Sequence, residues 1–382
     1  ARRANRTTER TLMTMRSFLS VRRSLALAAV AMVGAAACSG GSEEAAITTP
    51  VETTTSEATT TTAVEATTTT AVETTTTTLA PAIIRQPLTG EPLASEADFV
   101  ERPAMAVKID NHPGARRNHS GLAVADIVFE EKVEGSLTRF AAVLHTQDAD
   151  PLGPIRSGRE QDVALLSSFN EPLFAWSGGN PGVTALVRSS SLVDIGAPSY
   201  PGSYYRGPGS GPHNLYSDSG SLYSLTPEGH PGAPPVQFGY LDDGQVFAGA
   251  PGRNVSFSIG SIDIEWTWND EEQRYERSQE GEAHVDKTYG RIGAENVVLL
   301  GVDYRQSSID KNAPEAITVG SGLVSVFSNG EYLSGTWERE LATFPFTLTV
   351  GGEQVIQLTP GQTWVELVEV STPGEVPAFE VS

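Results

Sequence analysis

Residues 102–159 read RPAMAVKIDNHPGARRNHSGLAVADIVFEEKVEGSLTRFAAVLHTQDADPLGPIRSGR. Three apolar, strand-like runs stand in this stretch, at residues 105–109, 127–133 and 137–144. The first ends in Asp110-Asn111-His112-Pro113-Gly114, whose turn chemistry forces the chain to reverse. Residues 122–126 predict one turn of helix leading into the second run. Gly135 then turns the chain into the third, and these two runs, close in sequence, are expected to pair as a hairpin. Pro151 and Pro154 bracket a loop that delivers Arg156-Ser157-Gly158-Arg159. Val163, Leu165, Leu166 and Phe169 then recur at helical spacing over residues 160–169. A stretch that only had to fold would not need so many hydrogen-bonding groups where its strands end.

Downstream, residues 173–176 predict a short strand stopped by Gly178-Gly179. Asn180 suits a helix N-cap and Pro181 the first helical position, so a helix is expected over residues 183–189. Residues 197–212, APSYPGSYYRGPGSGP, have no periodicity and predict a long surface loop. A short helix is expected at 217–225. The Pro- and Gly-rich residues 227–235 mark a boundary, after which the pattern is β. Ile262, Ile264, Trp266 and Trp268 alternate with Asp263, Glu265 and Thr267, one face for a core and one for water. Further strands are expected at 256–259, 274–278, 297–302, 323–328, 331–338, 346–350, 354–358 and 364–370. The fold class expected is α+β: an N-terminal mixed α/β domain at 83–225, a linker at 226–252, and a mainly antiparallel β domain at 253–382.

Upstream lies a different kind of chain. Residues 1–38 predict a bacterial export signal, with translation expected to start at Met13 or Met15. Arg16, Arg22 and Arg23 precede the apolar run LALAAVAMVGAAA, and Cys38 follows it directly. The run of about 13 residues is short for a membrane span. Cys38 is the only cysteine, which excludes a disulfide framework and points to a lipidation site that would anchor the protein to the bacterial cell membrane from outside. The alternative is a secreted protein cleaved at the Ala-x-Ala sequence. Residues 39–82 include AVEATTTTAVETTTTT and too few apolar side chains to form a core, so a disordered Thr-rich stalk with a mean span of roughly 35 Å is expected.

The formal net charge of −21 is unevenly spread. Ten basic and eleven acidic residues occupy 102–215, against eight basic and twenty-five acidic residues from Tyr216 onward. That balance argues against nucleic acid as a partner, because phosphate-backbone binding needs a positive surface. A local arginine cluster in the first half can still hold one anion.

RPAMAVKIDNHPGARRNHSGLAVADIVFEEKVEGSLTRFAAVL, GPIRSGR and GPHNLY, in that order, resemble the YerB-like bacterial lipoproteins. AHVDKTYGRIGAENVV, SNGEYLSGTW and LTPGQTWVELV resemble the C-terminal part of the same family. The resemblance covers roughly residues 84–371 and implies a two-domain envelope lipoprotein, without naming a reaction. Arg116-Arg117-Asn118-His119-Ser120 departs from it, since the family usually has Arg-Pro-Gln-Ser there.

Three clusters carry chemistry. Asp110, Asn111 and His112 follow a strand, where acid and base groups are often placed, though such residues also cap turns. Arg156 and Arg159 flank Ser157 before a helix and form a candidate grip for a carboxylate or phosphate, with Arg139 part of the same question. The competing reading is internal ion pairing with Glu130, Glu131 or Glu134. His213, Asn214 and Tyr216 end the Gly-rich loop and suit a lid. His284 and Asp286 can cross from the second half. Ser157, His213 and Asp110 make a hydrolase triad on paper only, since no GxSxG elbow is present. The six histidines lack metal-ligand spacing, so neither metal nor cofactor is expected. Two functions follow: an envelope module binding an anionic ligand or a protein partner in an Arg-lined cleft, or a cell-envelope enzyme acting on a phosphate-bearing or lipid-linked cell-wall substrate.

Overall fold

β1 (Met105–Asp110), β2 (Ile127–Lys132) and β3 (Thr138–Leu144) are the three runs of residues 102–159. β2 and β3 form the expected hairpin, and β3 also pairs antiparallel with β1. The computed structural model describes residues 84–372 and 374–382. The export signal, Cys38 and the Thr-rich segment therefore lie outside the described residues.

α1 (Glu160–Leu166) follows the Arg156–Arg159 segment, then β4 (Leu173–Ala175), α2 (Pro181–Ser189) and β5 (Val193–Asp194). Asn180 caps α2 by accepting from Val183 N at 2.8 Å. The Gly- and Pro-rich loop closes through a small ribbon, β6 (Tyr205–Arg206) against β7 (Leu215–Tyr216), and α3 (Ser219–Tyr223) comes next. The helical turn expected at 122–126 is absent. Leu122 N and Ala123 N, which would begin it, donate instead to Asp286 Oδ2 at 2.9 and 3.3 Å.

The second half is mainly β. β8 (Asn254–Ile259), β9 (Ile262–Asn269) and β10 (Arg274–Gln279) form an antiparallel meander. β11 (Asn296–Val302), β12 (Gly320–Ser328), β13 (Glu331–Arg339), β14 (Thr347–Val350) and β15 (Thr363–Glu369) follow. The strands from β11 on do not form a sheet of their own. β15 lies parallel to β11 on one side and parallel to β2 on the other, with Ile127 opposite Thr363 and Glu130 opposite Glu366. One twelve-stranded sheet thus runs from the two-residue strand Gln354–Val355 through β14, β13, β12, β11, β15, β2, β3 and β1 to β4 and β5, with Ala250–Pro251 pairing beside β13 as the twelfth strand. The described residues of both halves fall in one compact unit.

Alternate residues of the central strands serve two cores, as a pleated strand buried on both faces requires. Met105, Val107, Ile109, Phe140 and Ala142 pack with Val255, Ile264, Trp266 and Trp364 toward the β8–β10 sheet. Ala106, Ile127, Phe129, Ala141 and Val143 pack with Leu165, Phe169, Val183 and Val187 toward the helices. β1 is buried at every residue between these layers, so its last carboxylate is carried on a rigid support.

Candidate functional site

Asp110 ends β1 opposite Arg139 and is 3 % exposed. The turn after it bends so that His112 N donates to Asp110 Oδ1 at 3.1 Å. His213 Nδ1 lies 2.6 Å from Asp110 Oδ2, and Arg156 Nε lies 3.2 Å from the same oxygen. The His112 ring stacks on His213, with centroids 4.0 Å and planes 10° apart. Gly114 closes the turn by donating its N–H to His112 Nδ1 at 3.0 Å. A Cβ at Gly114 would stand 3.3 Å from that same nitrogen, so a side chain would crowd the bond.

The structure thus brings Asp110, His112, Arg156 and His213 together. Among the described residues, neither terminal nitrogen of Arg156 and neither imidazole Nε2 has a hydrogen-bond partner, and all three side chains are half-buried. Burial, and then the neighbouring His213, hold the His112 pKa below the usual imidazole value; Asp110 opposes them.

The remaining candidates support this group or face elsewhere. Arg139 and Arg159 converge on Glu134, Arg139 Nη2 at 3.1 Å and Arg159 Nε at 2.8 Å. Burial pushes the Glu134 carboxyl up, but the Arg159 hydrogen bond and the two guanidinium charges outweigh it and hold the pKa at about 2. Ser157 offers its carbonyl to Arg139 Nη1 at 2.9 Å, while its hydroxyl lies 3.4 Å from that of Ser177. The N-terminus of α1 is met by the chain's own carboxylate: Asp162 Oδ2 accepts from Arg159 N at 2.6 Å. Asn214 donates to Gly209 O at 3.2 Å and Tyr216 to Asn118 O at 2.8 Å, so both brace the loop. Of the three arginines, only Arg156 has both terminal nitrogens without a hydrogen-bond partner among the described residues.

Asn111 turns inward to a polar seam between the halves. Its amide bonds Thr138 Oγ1 at 2.7 Å and exchanges two bonds of 3.1 Å with Gln279. Arg277, fully buried, pairs with Glu130 and lies 3.8 Å from Glu366. A chain of three bonds runs from it back to the site. His119 Nε2 is 2.6 Å from the Asp110 carbonyl, which can only accept, so Nε2 donates and Nδ1 must accept. His284 Nε2, 2.8 Å away, is then the donor to it, leaving His284 Nδ1 to accept from Arg277 Nη1 at 2.8 Å. The sequence reading missed His119, Arg277 and Gln279. Arg277 and Gln279 sit at alternate positions of β10, so an inward-facing polar pair in a strand was their one visible signal. Among the described residues no group of three or more His, Cys, Asp or Glu is placed to hold a metal, and no helix is long and apolar enough to cross a membrane.

Two family models match in order: the N-terminal domain of the protein of unknown function DUF3048 over residues 88–230, and the C-terminal domain of the same family over 253–365. The chain belongs to the DUF3048 family of YerB-like proteins. It is 28 % identical over 299 residues to "Putative lipoprotein YerB" of Bacillus subtilis (strain 168), covering 75 % of this chain and 86 % of that protein. The fold is similar to the crystal structure of YerB from Bacillus subtilis, with a TM-score of 0.66 and 23 % identity over 78 % of this chain and 99 % of that one.

Proposed function

We propose that this DUF3048 protein is a lipid-anchored extracytoplasmic binding protein that holds an anionic ligand of the cell envelope at the Asp110–His112–Arg156–His213 site. The observation that carries the reading is Arg156. Asp110 lies 3.2 Å from Nε as the counter-charge of the guanidinium, without an aligned hydrogen bond to it, and neither terminal nitrogen has a hydrogen-bond partner among the described residues. A guanidinium held at one end is pre-organised for an oxyanion at the other. The mixed α/β N-terminal region serves in this reading as the rigid carrier of β1. The name of the YerB relative, the apolar run and Cys38 support the anchor, with residues 39–82 as the tether.

Arg156→Ala is expected to abolish co-purification of a bound anion, read by native mass spectrometry, while melting within a few degrees of wild type. Lys at 156 restores charge without the fork and should recover binding only in part. An Ala variant that retains the anion, or that unfolds, overturns the assignment. For the anchor, Cys38→Ala should move the protein out of the membrane fraction and remove acyl labelling, because acyl chains supply about 0.8 kcal/mol per buried methylene and no other anchor is proposed. Undiminished membrane retention by that variant contradicts the lipid-anchor reading.

A further inference from the structure

We infer that the site selects an anion that carries its own hydroxyl hydrogen, namely hydrogen phosphate or a polyol phosphate with a hydroxyl beside the phosphate group. The inference rests on the anion-binding reading above and deepens it. It follows from the two stacked imidazoles, which are held in opposite tautomers. An ionised Asp110 can only accept, so neutral His213 places its hydrogen on Nδ1 and leaves a bare lone pair on Nε2. Gly114 N–H donates to His112 Nδ1, so neutral His112 carries its hydrogen on Nε2. With ring planes 10° apart and centroids at 4.0 Å, the stacked pair offers one acceptor and one donor nitrogen, and Arg156 shares with His213 the same Asp110 oxygen.

A ligand that satisfies all of these must accept from Arg156 and His112 and donate to His213. Hydrogen phosphate does both with one group. A polyol phosphate does so with a phosphate oxygen and its own hydroxyl. Sulfate offers acceptors only, so it would face the His213 lone pair with an oxygen and leave that nitrogen unpaired. A site built to accept a hydrogen bond discriminates strongly against a ligand that cannot donate one. The charged groups around the pair are Asp110 from β1, Arg116 from the following turn, Arg156 from the segment before α1 and, behind Asp110, Arg139 from β3. Of these, only Asp110 sets the His213 tautomer.

The test is calorimetric titration of the full chain in detergent with inorganic phosphate, glycerol phosphate and sulfate at pH 8.5, above the usual imidazole range. Wild type should bind both phosphates at least about tenfold more tightly than sulfate. Tighter binding of glycerol phosphate than of inorganic phosphate assigns the hydroxyl to a polyol, and the reverse order assigns it to free phosphate. In Asp110→Asn the amide donates to His213 Nδ1 and forces the hydrogen to Nε2, so the phosphate preference should fall to within about twofold. His213→Phe removes the acceptor nitrogen outright and should likewise bring phosphate and sulfate to within about twofold, which keeps the test independent of how the Asn variant folds. Equal binding of phosphate and sulfate by wild type at pH 8.5, with both lost in Arg156→Ala, overturns the selectivity and leaves the anion site standing. Binding of none of the three anions overturns both.

Discussion

Arg277→Ala is expected to destabilise the protein by about 3–5 kcal/mol, the usual cost of leaving one member of a buried ion pair alone. Arg277 is fully buried on β10 and pairs with Glu130 of β2, which is equally buried. Its guanidinium also lies over the rings of Trp364, Phe140 and Trp266 at 5.3, 5.6 and 5.9 Å. Removing it deprives Glu130 of its counter-charge and His284 of the donor to Nδ1 in one step. Glu366, across the parallel register from Glu130, behaves differently. Burial and the neighbouring Glu130 push its pKa well above the usual carboxyl range, which favours its uncharged form. Glu366→Gln should therefore be nearly neutral at pH 7, keeping an acceptor for Trp266 Nε1, which lies 3.0 Å from the carboxyl. Urea titration compares the two variants. Arg277→Met combined with Glu130→Gln should recover most of the loss, since it removes both charges together. Similar, small effects for Arg277→Ala and Glu366→Gln would show that Glu130 does not depend on the Arg277 charge.

That seam also marks the limit of what the chain discloses before it is folded. Local pattern suffices for strand positions: the alternation from Ile262 to Trp268 becomes β9, and Ser328-Asn329-Gly330 becomes the hairpin between β12 and β13, with φ of 52° at Asn329 and 73° at Gly330. Partner choice is not local. β2 finds β15 from the far end of the chain, and nothing in residues 127–132 shows that one neighbour will be parallel and distant. For the same reason a boundary in composition at 226–252 leaves no break in the sheet. Asp110, His112, Arg156 and His213 stood out in the sequence as polar groups at the ends of strands and loops. Arg139 and Arg159 stood out on the same grounds but meet Glu134. A sequence shows that a guanidinium is present; only the fold shows whether a carboxylate reaches it.

Acidification should act on the same seam through its histidines, and a variant comparison isolates the effect. Burial, with the Arg277 and Arg116 charges adding to it, lowers the His119 pKa to about 4 despite the opposing Asp110 carbonyl, and burial drives His284 well below its usual value. In the unfolded chain both ionise near pH 6.5. Between about pH 6.5 and 4 the unfolded state therefore binds more protons, and the contribution of these residues to stability falls as the pH falls. For His119 alone a drop of about 2.5 units corresponds to about 3 kcal/mol by pH 4. The geometry supplies the reason: each ring already donates from one nitrogen and accepts at the other, so an added hydrogen would face Arg277 N–H or the donor of the other ring. Asp126 runs the other way, since burial raises its pKa to about 6 and protonation between about pH 6 and 4 favours the folded state. The wild-type curve alone should therefore be less steep than the two histidines by themselves would make it. His119→Gln keeps a donor and an acceptor but cannot ionise, so wild type should lose about 3 kcal/mol relative to this variant between pH 7 and 4, whatever offset the substitution introduces at pH 8. Parallel stability curves for the two proteins across that range would mean that His119 takes up its proton in the folded state as readily as in the unfolded one, and that the hydrogen-bond chain from Arg277 to Asp110 does not constrain it.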